Sequence, residues 1–110
     1  AGHTPMGINY GGSKAALLME TKNMARKLAP YNIRVNSISP GTTKTDLNKK
    51  HWENNTKVWQ EQISTNIPLK RVASPNEIAQ LALFLASDKA SFVSGADLLA
   101  DGGQSTAFIR

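Results

Sequence analysis

The 110-residue sequence contains no cysteine, which excludes disulfide bridges and thiolate metal sites. It also has no long hydrophobic run. Its longest apolar stretches, Ala15 to Met19 and Leu81 to Ala86, fall far short of the ~20 residues that a membrane-spanning helix needs. The N-terminus lacks a charged segment followed by an apolar one, as secretion would require, so the expected location is cytoplasmic. Aromatic residues are scarce, at 6%, and do not interleave with basic ones to make a stacking platform for bases. The net charge of +5 is scattered among Lys22, Arg26 and Lys27, then Lys44, Lys49 and Lys50, then Lys70 and Arg71, which argues against nucleic-acid binding. His3 and His51 have no second histidine or carboxylate at ligand spacing, so no metal site is expected. No internal repeat is present.

What is present is an ordinary globular composition, 40% hydrophobic and 19% charged, in a length that suits a single domain over residues 1–110. From Tyr10 to Ala29, Leu17, Met24 and Leu28 recur at helical spacing, with Leu18 and Ala25 beside them, and Pro30 stops the helix. The β-branched run Ile33 to Ile38 predicts a strand, and Pro40 and Gly41 a turn after it. Trp52, Trp59 and Ile63 keep helical spacing in a polar stretch that Asn54 and Asn55 interrupt, which predicts two short helices. The run "SPNE", Ser74 to Glu77, is a capping box with proline at the first helical position. The helix it opens carries Ile78, Leu81, Ala82 and Leu85 on one stripe and ends near Ser87. A turn at Gly95, a strand from Asp97 to Ala100 and a turn at Gly102 and Gly103 follow. Strand, crossover helix and strand make a βαβ unit with parallel pairing, and two strands leave an apolar edge that calls for further strands or a partner chain.

Tyr10 and Lys14 stand four residues apart on the first helix, so their side chains share a face. A phenol titrates near pH 10 and is a poor base at neutral pH, but a neighbouring ammonium favours the phenolate and brings it into range for proton transfer. The spacing alone carries little, since Tyr-x-x-x-Lys arises by chance in roughly one chain in five of this length.

The pair does not stand alone. "YGGSK", "IRVNSISPGTTKTD", "SPNEIAQLALFLASDKASFVSG" and "DGG", in that order, resemble the C-terminal part of the short-chain dehydrogenases/reductases over nearly the whole chain. Among members the chain is most similar to the three-oxoacyl-carrier-protein reductases and the glucose dehydrogenases. The resemblance implies an α/β fold, the C-terminal part of a doubly wound parallel Rossmann-like sheet without its N-terminal strands. It implies an NAD- or NADP-dependent oxidoreductase that interconverts an alcohol and a ketone or aldehyde. Tyr10 would exchange the substrate proton. Lys14 would lower the tyrosine's pKa and bind the nicotinamide ribose. Pro40, Gly41 and Thr43 would contact the nicotinamide end of the cofactor and Thr45 its carboxamide or diphosphate, although Pro40 and Gly41 also suit a plain structural turn. Residues 42–67 would form the substrate loop, where Trp52 and Trp59 either wall a pocket or pack two helices onto the domain.

The family's glycine-rich dinucleotide turn has no counterpart here, and its catalytic serine would fall just before Ala1. The chain therefore reads as the second half of a dehydrogenase, expected to be inactive alone and to bind cofactor weakly. Its expected partners are further copies of itself or a complementing N-terminal half. A non-catalytic oligomerisation module derived from the same fold is the alternative.

Overall fold

A computed structural model describes the backbone of residues 5–44, 53 and 56–108, and the side chains of residues 12–44, 53 and 56–106. Helix α1, Pro5–Leu28, begins five residues before Tyr10 and opens on proline, whose missing N–H costs nothing in a first helical turn. At the other end Pro30 lies in a 3₁₀ turn, Ala29–Tyr31, and Asn32 takes a left-handed conformation (φ 59°) while donating its N–H to the Ala29 carbonyl. Strand β1 is Ser37–Pro40, helix α2 is Thr56–Asn66, helix α3 is Pro75–Ala86 and strand β2 is Asp97–Ala100. A first short helix in the crossover, as the sequence suggests, falls mostly on residues outside those described.

β1 and β2 pair side by side. The Ser37 N–H donates to Ala96 O at 3.0 Å and the Gly41 N–H to Ala100 O at 2.9 Å, so the register advances in the same direction on both strands and the pair is parallel. β1 starts later than the apolar run predicts. Over residues 34–36 side chains take most of the bonds, beside one backbone bond from the Gly95 N–H to Val35 O at 2.7 Å: the Asn36 amide donates to Val93 O at 2.9 Å while its oxygen accepts the Ala96 N–H at 3.0 Å. The Arg34 guanidinium donates to Val93 O and Ser87 O, and the Ser94 hydroxyl accepts the Val35 N–H.

The chain divides into two compact units, Ala1–Ser37 with Ser87–Leu98 and Ile38–Ala86 with Leu99–Arg110. In the first, the covered stripe of α1 is Leu18, Thr21, Ala25 and Leu28, rather than the one through Leu17 and Met24, which are 56% and 40% exposed. The reason is a close approach from a distant segment. Ala25 faces Gly95, where an added β-carbon would lie 3.5 Å from its own, and Lys22 donates to Gly95 O, so small residues set which face approaches. Thr21 satisfies its buried hydroxyl on Leu17 O. In the second unit, Trp59, Ile63 and Ile67 follow one another four residues apart along α2 and its end, with Ile67 buried, and Leu85 is the buried member of the α3 stripe.

Candidate active site

The carboxyl end of β1 turns at Gly41 and is tied down at once. Thr43 Oγ1 donates to Gly41 O at 3.1 Å, the Ala73 N–H donates to Thr42 O at 3.1 Å, and the Lys44 N–H donates to Ala73 O at 3.0 Å. These bonds make a parallel bridge between Thr43 and Ala73, the residue just before the capping box. That box forms as the sequence predicts, with Ser74 Oγ accepting the Glu77 N–H at 3.2 Å and Glu77 Oε1 accepting the Ser74 N–H at 3.0 Å. Arg71 adds a forked ion pair to the same carboxylate at 2.7 and 2.8 Å. The start of α3 thereby holds the turn from below.

From the other strand, Asp101 closes the end of β2. Its carboxylate accepts the Gly103 N–H at 2.9 Å and the Ser105 N–H at 3.0 Å, which caps the 3₁₀ turn Gln104–Phe108. Partial burial would raise this carboxyl, yet the hydrogen bonds from Ser105 and Gly103 prevail and hold it below the usual aspartate value. Gly102 and Gly103 adopt φ of +63° and +87°, conformations that glycine takes at no steric cost.

Among the described residues of this unit, two hollows flank the Gly41–Lys44 turn. One, of about 420 Å³, is walled by Ile67, Leu69, Ile78, Leu81 and Phe84, with Arg71 and Glu77 on its rim. It is the apolar side of α3, a surface that helices in a doubly wound fold cover with neighbouring layers. The other, of about 90 Å³, is bordered by Thr42, Trp59 and Gln104 and is mixed in polarity.

Of the residues that the resemblance marks, Pro40, Gly41, Thr43 and Trp59 fall in the second unit, and Trp59 shares the smaller hollow with Thr42. Lys14 lies in the first unit, half-buried on α1, and Tyr10 is on the same helix with its side chain outside the described set. Thr45 and Trp52 lie outside the described residues. Among the described residues no cluster of histidines and carboxylates could hold a metal ion, and no helix is long and apolar enough to cross a membrane. Gln62, Asp101 and Gln104 escape sequence reasoning because their neighbourhood is made by the fold; the "DGG" run is the nearest signal.

A parallel strand pair joined by a helical crossover is a piece of an open α/β sheet of the Rossmann type, in which ligands sit beyond the strand ends. Residues 2–105 match the family model described as Enoyl-(Acyl carrier protein) reductase. The chain is 44% identical over 96 residues to the NAD-dependent glycerol dehydrogenase of Listeria innocua, which covers 87% of this chain and 37% of that protein. It is 41% identical over 111 residues to the 2,3-dihydro-2,3-dihydroxybenzoate dehydrogenase of Escherichia coli, covering 94% and 45%. A solved structure of 4-hydroxyisoleucine dehydrogenase complexed with NADH superposes with a TM-score of 0.79 at 38% identity, covering 88% and 39%. The chain belongs to the short-chain dehydrogenase/reductase family, and it spans less than half the length of these relatives.

Proposed function

We propose that the chain is part of an NAD(P)-dependent oxidoreductase that interconverts an alcohol and a ketone or aldehyde. The observation that carries this reading is the family match across residues 2–105, which takes in the Tyr10-x-x-x-Lys14 pair and the Pro40–Thr45 segment together. The residue types support it: Thr42 and Thr43, on a turn pinned to Ala73, carry hydroxyls, whose mixed donor and acceptor character matches that of a carboxamide. A bound nicotinamide would supply or accept the hydride. Pro40, Gly41, Thr43 and Thr45 would orient its carboxamide end, and Lys14 would donate to the ribose hydroxyls. Tyr10 Oη would give its proton to the carbonyl oxygen in reduction and take it back in oxidation, with the Lys14 ammonium favouring the phenolate. The family's serine and glycine-rich turn, which polarise the carbonyl and anchor the diphosphate, have no counterpart in these 110 residues, so the chain alone binds cofactor weakly and turns over little or nothing.

Fluorescence titration with NADH and NADPH, set beside a dehydrogenase assay of the chain and of Tyr10→Phe, tests this. Cofactor binding that survives Tyr10→Phe, with any turnover abolished by it, is the expected result; absence of binding by both cofactors at millimolar concentration counts against it.

A second reading, a non-catalytic oligomerisation module, is favoured by the exposure of Leu17 (56%) on α1, and of Leu83 (65%) and Leu99 (56%) in the second unit. Light scattering that finds a stable monomer at micromolar concentration would exclude it.

A further inference from the structure

The smaller hollow of the second unit has a composition that selects its occupant. Its volume of about 90 Å³ is the share of about three water molecules in the liquid, room for the end of a small molecule. Trp59, Ile63 and Gln62 reach it from α2, Thr42 from the turn after β1, and Gln104 from the first residue of the 3₁₀ turn. Asn66 completes a set of three carboxamides at one opening, and no charged side chain is among the described lining.

The three amides are available. Among the described residues, no side-chain hydrogen bond is made by Gln62, Asn66 or Gln104. Their backbones, by contrast, are held: Gln62 and Asn66 lie in α2, while the Gln104 N–H donates to Asp101 O at 3.1 Å in a turn that the Asp101 carboxylate caps. A carboxamide offers a donor and an acceptor about as far apart as neighbouring hydroxyls need, and a hydroxyl is itself both. A carboxylate or phosphate, which only accepts, would leave the amide oxygens unmatched and is held best by arginine or lysine, neither of which is in the described lining.

We infer that Gln62 and Gln104 are specificity residues that hydrogen-bond the hydroxyl groups of a neutral, hydroxylated substrate, with Trp59 as the apolar wall of the same hollow. This rests on the oxidoreductase reading for its meaning in catalysis, since the hollow shares Thr42 with the turn assigned there to the cofactor. It adds the substrate class: a polyol or sugar end in preference to an acid.

The test is a titration of the 110-residue chain, ¹⁵N-labelled, with glycerol and L-rhamnose as neutral probes and 2,3-dihydroxybenzoate as the anionic one. Saturable shifts of the Gln62 and Gln104 side-chain amides with a neutral probe are expected, weakened about tenfold in Gln104→Leu through loss of a hydrogen bond of ordinary strength. Gln62→Leu gives the same readout should Gln104→Leu fold poorly, and Gln104→Arg should turn the preference toward the benzoate. Shifts with the benzoate alone, no saturable shift with either neutral probe, or unchanged affinity in both leucine variants overturns the proposal. NADH added to the same sample is read at the Gly41 and Thr43 amides. Response to NADH without response to polyol rejects the substrate class and keeps the oxidoreductase reading; response to polyol without response to NADH does the reverse.

Discussion

Gly41 and Asp101 meet so closely that a β-carbon on residue 41 would lie 2.6 Å from the Asp101 β-carbon and 2.7 Å from its α-carbon. Both obstacles belong to, or hang directly on, a backbone fixed by β2 pairing and by the capped turn that follows, so neither can swing aside. Gly41→Ala is expected to lower stability by about 1–3 kcal/mol, the usual cost of forcing extra volume into a filled space. Urea denaturation measures this. Because the clash is steric, Gly41→Ser should be at least as damaging, and an alanine variant as stable as the parent would show that the two strand ends can separate.

Acid stability turns on Glu77. Its carboxyl is held down to about 2, from an ordinary 4.5, first by the Arg71 guanidinium and then by the Ser74 N–H. A carboxyl with a folded pKa below its unfolded one stabilises the fold above the unfolded value, and that contribution drains away as pH falls from about 4.5 through about 2. Thermal melts between pH 6 and 2 (roughly the span in which a carboxylate titrates) should therefore fall more steeply for the parent than for Glu77→Gln. The effect is small in absolute terms because the pair is exposed and screened by salt. Parallel slopes for the two proteins would remove Glu77 from the acid response.

Asn36 stands where a strand residue could not do the same work. It donates to Val93 O and accepts from the Ala96 N–H across a separation of about sixty residues. Asn36→Leu leaves the Ala96 N–H unmatched and leaves Val93 O to Arg34 alone, and is expected to cost about 1–3 kcal/mol. Asn36→Asp keeps the acceptor and loses the donor, so its loss should be the smaller of the two when both are compared by denaturant midpoint.

At Gly102, φ is +63° and an added β-carbon would come within 2.8 Å of the Ile67 Cγ2 atom. Gly102→Ala meets both a left-handed backbone and the end of a buried side chain, and a stability loss of about 1–3 kcal/mol is expected. Circular dichroism during thermal unfolding reads it, and Gly12→Ala, where nothing lies within 4 Å, is the matched control.

Much of this architecture is legible in the sequence because its punctuation is chemical. Ser74, Pro75 and Glu77 announce α3 to the residue, and the glycines at 95, 102 and 103 mark turns that require positive φ. The pattern of apolar runs and turns also yields the short strand Asp97–Ala100 and the parallel βαβ order. What it does not yield is which of two adjacent helical faces is covered. Leu17 and Met24 outrank Thr21 in hydrophobicity, but the closeness of Gly95 to Ala25 decides the matter, and that is a relation between distant segments. The start of β1 misleads for a similar reason, since the side chains of Arg34 and Asn36 take over bonds that β-branched residues would have left to the backbone. The tyrosine, lysine and proline-glycine turn that the resemblance marks are visible as motifs. Gln62 and Gln104 carry no motif, and only folding brings α2 and the last turn to one hollow.

The parallel register joins Ser37 to Ala96 and Gly41 to Ala100, so every bond in this small sheet closes a loop of nearly the same great length. Loop-closure entropy grows only slowly with length, and the finished sheet is little penalised for it. The rate is another matter, because such a chain must search a long crossover before any strand bond rewards it. The turn at Gly41, buttressed by Asp101, is therefore expected to form late in folding: α1 and α3 draw on local signals, whereas the surface proposed to meet cofactor and substrate needs both ends of the crossover to have found each other.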